Sequence, residues 1–192
     1  MSSIGDFNAV SLIAETVKNC KVASLARVVE KDIDKAAQAL EKAVDPRIHT
    51  FVSSSAIHME HQMRKDPEEI IDMAVKAVSR AKKYVDDVEF SPMDATRTDI
   101  DFLITLLEET INAGATTLNI PDTVGYSVSK EFGESIKLII NKVKNIDGVI
   151  VSVHCHNDLG LAVSNSLSAV ENGARQIEGC INGLGLSLIH IS

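Results

Sequence analysis

The chain has 192 residues, 45% of them hydrophobic and 24% charged, with a mean hydropathy of +0.08, a make-up that excludes disordered and collagen-like chains. Nineteen Lys+Arg against 27 Asp+Glu leave a net charge of -8, and aromatic residues make up 4% with no Trp. Neither nucleic acid nor an anionic membrane is therefore expected as a partner. Cys20, Cys155 and Cys180 are odd in number, far apart and in no CxxC arrangement, which argues against a disulfide framework or a structural zinc site. With no signal-like start and no apolar run of about 18 residues, the expected location is cytoplasmic.

In chain order, a helix is predicted over about Asp6 to Lys18 and a strand over Lys21 to Ala26. A helix over Ile33 to Ala43 leads to a strand over Arg47 to Ser53. In Ile57-His58-Met59-Glu60-His61 the two imidazoles read as a solvated helix face, with a metal pair as the lesser alternative. Asp66-Pro67-Glu68-Glu69 puts a capping residue, Pro and acids at the start of a helix predicted over Pro67 to Tyr84. A strand over Asp87 to Ser91 precedes a helix over Asp99 to Ala113 for which Thr98 is the expected cap. The strand Thr116 to Ile120 precedes a helix over Ser129 to Val143 with Ser127 as the expected cap. The strand Val149 to His154, the helix Leu161 to Asn172 and the strand Arg175 to Cys180 complete the series. Asn112-Ala113-Gly114-Ala115 and Glu171-Asn172-Gly173-Ala174 share a Gly-Ala step that ends a helix and enters a strand in the same phase.

Strict alternation of strand and helix calls for a parallel sheet under helices. Side chains two apart on a strand share a face, and this divides five strands consistently. His49, Phe51 and Ser53 share a face, as do Asp87, Glu89 and Ser91. Thr117 and Asn119, then Ser152, His154 and His156, then Gln176, Glu178 and Cys180 continue the series. The opposite faces are apolar, with Ile48, Val52, Val88, Phe90, Leu118, Ile120, Val151 and Val153. An open sheet covered by helices on both sides would bury the polar face at a cost, whereas a barrel gathers it inside, near the C-terminal rim where barrel active sites lie. The fold class expected is α/β, an incomplete TIM-type (β/α)8 barrel with about six β/α units, since the length falls short of the roughly 250 residues of a complete one. No GxGxxG follows an early strand and no GxxxxGK[ST] occurs, so a nucleotide-phosphate loop is unsupported.

His154-Cys155-His156-Asn157-Asp158 closes the Val149 strand. Two imidazoles at i and i+2 on one strand face can hold one divalent ion. HxH alone is weak evidence, but its place at the C-terminal end of a barrel-type strand, in line with the polar face, favours metal over a surface pair. Cys155 points the other way, towards core. For His49, substrate contact and a hydrogen-bonded core role stay open on the residues alone. Thr123, in the tight loop after Asn119-Ile120-Pro121-Asp122, is placed to hydrogen-bond something over the barrel mouth.

Taken together, Arg47-Ile48-His49-Thr50-Phe51, Asp87-Val88-Glu89-Phe90-Ser91, Asn119-Ile120-Pro121-Asp122-Thr123-Val124-Gly125-Tyr126, His154-Cys155-His156-Asn157-Asp158-Leu159-Gly160 and Glu178-Gly179-Cys180-Ile181-Asn182-Gly183 resemble the 2-isopropylmalate synthase and homocitrate synthase family, whose barrel is like that of the HMG-CoA lyases. The resemblance runs from about Gly5 to Gly185. It implies an acyltransferase making a Claisen condensation of acetyl-CoA with 3-methyl-2-oxobutanoate in leucine biosynthesis, with citramalate and homocitrate synthases and retro-Claisen lyases as the related alternatives. It further implies a divalent metal ion (Mg, Mn or Zn) on His154 and His156, and contacts from His49, Ser91 and Thr123 to the 2-oxo acid or the reacting groups. The parent protein would be a homodimer. A metal-dependent hydrolase, which uses HxH on an early strand, and a non-catalytic binding protein are the remaining readings.

Three departures from the family pattern stand out. The opening Asp-Thr-Thr-Leu-Arg-Asp-Gly signature, with a metal-binding Asp and a catalytic Arg, is absent, so no catalytic residue is assigned. Met93 stands where many relatives carry Glu. After Gly185 the family continues Glu-Arg-x-Gly-Asn, whereas this chain reads Leu186-Ser187-Leu188-Ile189-His190-Ile191-Ser192. Residues 1–185 are therefore expected to be a partial catalytic barrel truncated at both ends, and 186–192 a non-native tail. Sequencing the source locus checks this: an uninterrupted Glu-Arg-x-Gly-Asn after Gly185 is the expected outcome, and a genuine stop after Ser192 would contradict it.

Overall fold

A computed structural model describes residues 3–181 of the protein. Six strands, β1 (Val22–Arg27), β2 (Pro46–Ser53), β3 (Asp87–Met93), β4 (Thr117–Asp122), β5 (Ile150–Cys155) and β6 (Gln176–Glu178), pair in parallel in chain order. Parallel neighbours need crossovers, which the helices supply: α1 (Ile4–Thr16) leads in, α2 (Glu30–Ala39) joins β1 to β2, and α3 (Ala56–His58) and α4 (Pro67–Ala81) join β2 to β3. The later crossovers are α5 (Ile100–Asn112), α6 (Ser129–Lys142) and α7 (Ala162–Glu171). The incomplete barrel expected from the alternation is thus present as a curled half-barrel. The proposed tail, 186–192, and His190 within it lie outside the described residues.

The curl is measurable from side chains. Neighbouring strands lie about 4.8 Å apart, so a flat sheet would hold β2 and β6 roughly 19 Å from each other. Yet Arg47 Nη1 on β2 donates to Gln176 Oε1 on β6 at 2.9 Å, and Gln176 Nε2 donates to Glu89 Oε1 on β3 at 3.0 Å. Only a sheet bent around these groups brings them together. Its outer layer, Ile48, Val52, Val88, Phe90, Leu118, Ile120, Val151 and Val153, is buried under the helices, and Arg47, Glu89, Ser91, Thr117, Asn119 and Ser152 are buried inside. At the β1 edge the inner layer is open: Leu25, in register with His49, is 55% exposed.

Local signals explain most boundaries. At α4, Asp66 Oδ1 accepts from Glu69 N at 2.9 Å and Glu69 Oε2 accepts from Asp66 N at 3.1 Å, a full capping box with Pro67 at the first helical position. Two expected caps are corrected. Asp99, not Thr98, caps α5 through Asp101 N and Phe102 N, while Thr98 Oγ1 is engaged with Asp94 O and Ser54 Oγ. Ser127 does not cap α6; it gives its backbone N–H to Asp122 Oδ2 at 3.2 Å. The strand ends at Ser91 and Ile120 are corrected too: β3 and β4 run on through Pro92 and Pro121 to Met93 and Asp122. These prolines offer no N–H to a ladder, and β3 keeps register with β4 only at Glu89–Thr117 and Phe90–Leu118. The two Gly-Ala steps are the same joint. Gly114 and Gly173 have φ of 114° and 116°, Ala115 N and Ala174 N close back onto Thr110 O and Ala169 O, and the next amides donate to Val88 O and Val151 O.

The segment around His58 differs most from expectation. α3 passes into a π-turn, Met59–Met63, ended by Arg64 in the left-handed region at φ 53°. His58 is only 27% exposed at its side chain, with Nδ1 2.9 Å from Ser55 Oγ and 3.2 Å from Asp94 Oδ2. It is a packed rim residue and not part of a solvated face. His61 is exposed as expected.

Helices α6 and α7 touch most closely at Gly133, where a Cβ would run into Ser168 Oγ and come within 2.7 Å of Asn172 Nδ2. Gly133→Ala is expected to lower the urea midpoint, by about 1–3 kcal/mol in unfolding free energy, despite the better helix propensity of Ala. A midpoint at or above that of the parent would show that the two helices part freely.

Candidate functional site

The inward groups of β2 to β6 form one hydrogen-bonded wall. At its base Arg47 Nε and Nη2 donate to the two Asp87 oxygens at 3.0 Å each, and Nη1 donates to Glu89 Oε2 at 2.9 Å. Lys21 Nζ lies 2.8 Å from Asp87 Oδ2. Gln176 Nε2 also reaches Ser152 Oγ at 3.0 Å. Burial, with the Glu178 carboxyl facing it, pushes Glu89 up to about 7 despite the Arg47 guanidinium.

The middle layer surrounds the histidine rings. Asn119 Nδ2 donates to Ser91 Oγ at 3.0 Å and to Glu178 Oε2 at 3.2 Å. Ser91 Oγ lies 2.6 Å from His49 Nε2, a hydrogen bond whose donor is set by the ring tautomer. Burial holds His49 down to about 4, outweighing the nearby Glu178 charge, so the ring is neutral. Its Nδ1 lies 3.7 Å from Glu178 Oε1. Against burial, the His154 hydrogen bond and His49 keep the Glu178 carboxyl below the usual range. His154 Nδ1 therefore donates to Glu178 Oε2, at 2.8 Å. Asn119 Oδ1 and Thr117 Oγ1 are buried without a hydrogen-bond partner among the described residues. Such orphans cost about 1–3 kcal/mol and leave acceptors on the inner face for a donor from elsewhere.

At the rim His154 and His156 stand side by side, ring centroids 5.1 Å apart and planes at 66°. A divalent ion about 2.0–2.1 Å from one nitrogen of each ring needs centroids roughly 5 Å apart, a spacing this pair has. With Nδ1 of His154 bonded to Glu178, Nε2 is the nitrogen left over, as in sites where an outer carboxylate orients an imidazole. His156 N donates to Asp122 O at 3.2 Å. Asp122 is fully buried and also accepts from Ser127 N and Thr96 Oγ1. Gly125, at φ 69°, sits where any Cβ would strike the Asp158 carboxyl, so the β4 and β5 loops interlock. Cys155 packs against the core, away from the pair.

Thr123 accepts from Asp94 N at 3.0 Å, and its O–H has no acceptor in the hydrogen bonds among the described residues. Asp94 is buried with its carboxylate 2.6 Å from Arg97 Nη2 and 3.2 Å from His58 Nδ1. It is thus committed and does not replace the acid missing at Met93. His49, Glu89 and Glu178 can each bring a donor atom within 4.8 Å of one another, as a metal would need. Ser91, Arg47 and His154 already engage those three side chains.

His49, Ser91 and His154 are therefore joined in one network, while Thr123 belongs to the rim and touches none of them directly. Sequence reasoning put Glu178, Glu89, Asn119 and Gln176 on the right face without giving them roles. It left out Arg47, which the same two-residue spacing back from His49 places inside.

The unfolded chain protonates a histidine near its ordinary 6.5, whereas folded His49 refuses the proton down to about 4. Between these values the unfolded state binds more protons, so this residue makes stability rise with pH and fall as pH drops from 6.5 towards 4. His49→Gln is expected to flatten that dependence, by up to about 3 kcal/mol at pH 4. Urea unfolding at a series of pH values measures it, and parallel curves for the two proteins would count against a buried neutral ring.

The chain matches the HMGL-like family over residues 1–187. It is 56% identical over 185 residues to a 2-isopropylmalate synthase of Ruthia magnifica subsp. Calyptogena magnifica, covering 96% of this chain and 36% of that protein. It is 55% identical over 184 residues to one of Methylococcus capsulatus, with the same coverage. The chain thus spans about a third of the length of these curated relatives. Among solved structures, a hydroxymethylglutaryl-CoA lyase from Pseudomonas aeruginosa superposes with a TM-score of 0.69 at 18% identity, over 91% of this chain and 59% of that one, which speaks for the fold alone. On the match that covers nearly its whole length, this chain belongs to the HMGL-like family.

Proposed function

We propose that residues 1–185 are part of the catalytic barrel of a 2-isopropylmalate synthase. This enzyme condenses acetyl-CoA with 3-methyl-2-oxobutanoate and hydrolyses the thioester on the way to leucine. The observation that carries the reading is the His154–His156 pair at the β5 rim, 5.1 Å between rings and backed by Glu178. Relatives of that name at 55–56% identity support it.

His154 and His156 would hold a divalent ion, Mg, Mn or Zn, whose chemistry there is to polarise a keto carbonyl and stabilise the alkoxide formed from it. Thr123 O–H, free to donate, would bind an oxygen of the 2-oxo acid at the mouth. His49 and Ser91, coupled at 2.6 Å, would meet the same anion from within, Ser91 by turning its O–H to a carboxylate oxygen and His49 through its one ring N–H. The neutral state of His49 keeps a second positive charge away from the metal. Met93 cannot accept a proton from the acetyl group and Asp94 is held by Arg97 and His58, so the reading assigns no base within the described residues. Accordingly the chain alone is expected to bind metal weakly and not to turn over. The whole enzyme in this reading is a cytoplasmic homodimer, and the 186–192 tail is foreign to it.

Two measurements test this. Titration of the chain with Mn or Zn is expected to show binding that His154→Ala and His156→Ala each weaken at least tenfold, as about 1.4 kcal/mol or more per lost ligand implies. Coenzyme A release by the product of the uninterrupted source gene is expected with 3-methyl-2-oxobutanoate above pyruvate or 2-oxoglutarate. Preference for another 2-oxo acid would move the assignment to a citramalate or homocitrate synthase, and cleavage of hydroxymethylglutaryl-CoA would move it to a lyase.

A further inference from the structure

We propose that Glu178 is the positioning residue that fixes the tautomer and aim of His154, so that its Nε2 faces the mouth unprotonated. The proposal rests on the reading of His154 as a metal ligand and deepens it.

The two residues are cross-strand neighbours. β5 and β6 pair His154 with Glu178 directly, on the inner layer, and this places Glu178 Oε2 2.8 Å from His154 Nδ1. A neutral imidazole has one N–H. Spending it on Nδ1 leaves the Nε2 lone pair as the only donor a cation could use, whereas the other tautomer would block it with a proton. Other polar groups on this side do not replace the carboxylate. Asn119 turns its NH2 group, a donor, towards Glu178, and Ser91 is engaged with His49 and Asn119.

The carboxylate is itself held in place. Asn119 Nδ2 restrains Oε2 at 3.2 Å, and Oε1 lies 3.7 Å from His49 Nδ1. β6 is only three residues long, and two places before Glu178 the Gln176 side chain is tied to Arg47, Glu89 and Ser152. The short strand therefore presents Glu178 at a fixed height. In this proposal the effect of Glu178 passes through His154, to which its Oε2 is bonded.

The test uses the full chain with 15N-labelled histidine, first without metal. The His154 ring nitrogens of the parent are expected to report a proton on Nδ1, and in Glu178→Ala the ring is expected to populate the Nε2–H form. Zn affinity is then expected to fall about 10–100-fold in Glu178→Ala. Glu178→Gln, which keeps a carbonyl acceptor, is expected to restore most of the Nδ1–H form and of the affinity. A parent ring protonated on Nε2 overturns the proposal without any variant, and so does a folded Glu178→Ala that keeps both the parent tautomer and the parent affinity. If His154→Ala leaves Zn affinity unchanged, the metal-site reading fails instead, and the nitrogen shifts alone decide whether Glu178 sets the tautomer.

Discussion

The rest of the structure depends on a buried guanidinium. Arg47 is 8% exposed at its side chain and is engaged by Asp87 and Glu89 on the neighbouring β3 and by Gln176 on β6, a strand that a flat sheet would keep far from it. A buried charge is costly unless fully paired, and loss of one partner commonly costs about 3–5 kcal/mol. The curled sheet lets Nε, Nη1 and Nη2 of the fork each meet an acceptor, and the apolar outer layer does not compete for that position. Curl and charge pairing thus require each other. The clamp also sets the level of the chemistry above it, since Ser91 and Glu178 lie two residues further along the strands that carry Glu89 and Gln176.

Much of this is legible in the sequence itself. Alternation of side chains on each strand gives the correct inner and outer layers for His49, Glu89, Asn119, His154 and Glu178, because period two is a property of the backbone itself. The Gly114 and Gly173 joints were visible for the same reason: a positive φ at a helix end is a local demand. What could not be read was which distant strand each inner group would meet. Arg47 reaching Gln176, or Glu178 reaching past β5 to Asn119 on β4, depends on the curvature of the whole sheet, and no local pattern encodes that. The caps at α5 and α6 failed on a different ground. Thr98 and Ser127 have suitable chemistry, but Thr98 Oγ1 is drawn to Asp94 O, and at α6 Val128 takes the cap position while the Ser127 backbone N–H goes to Asp122.

The rim shows how one buried carboxylate can organise three loops. Asp122 binds Ser127 N and Thr96 Oγ1 through its side chain and His156 N through its carbonyl, and Thr123 next to it holds Asp94 N. His154 is aimed by a side chain and His156 by a backbone contact, so the two imidazoles are positioned by independent means. This independence matters for a pair whose use depends on the separation of its rings. Asp94 beside Met93, in the left-handed region at φ 69°, has its carboxylate committed to Arg97 and His58.

The matched joints at Gly114 and Gly173 lie at the opposite end of the strands from the rim. Both joints set the phase in which the following strand begins. Because inner and outer positions alternate, one residue gained or lost there would invert all that follows: Asn119 in β4, or Gln176 and Glu178 in β6, would face the helices and their apolar partners would line the mouth. A residue added beyond Asp122 or His156 would disturb the loop contacts there but leave the phase of every strand unchanged. The chain is therefore intolerant of length change at one end of its strands and permissive at the other, so that variation in loop length can accumulate around the chemistry while the counting that delivers those side chains stays rigid.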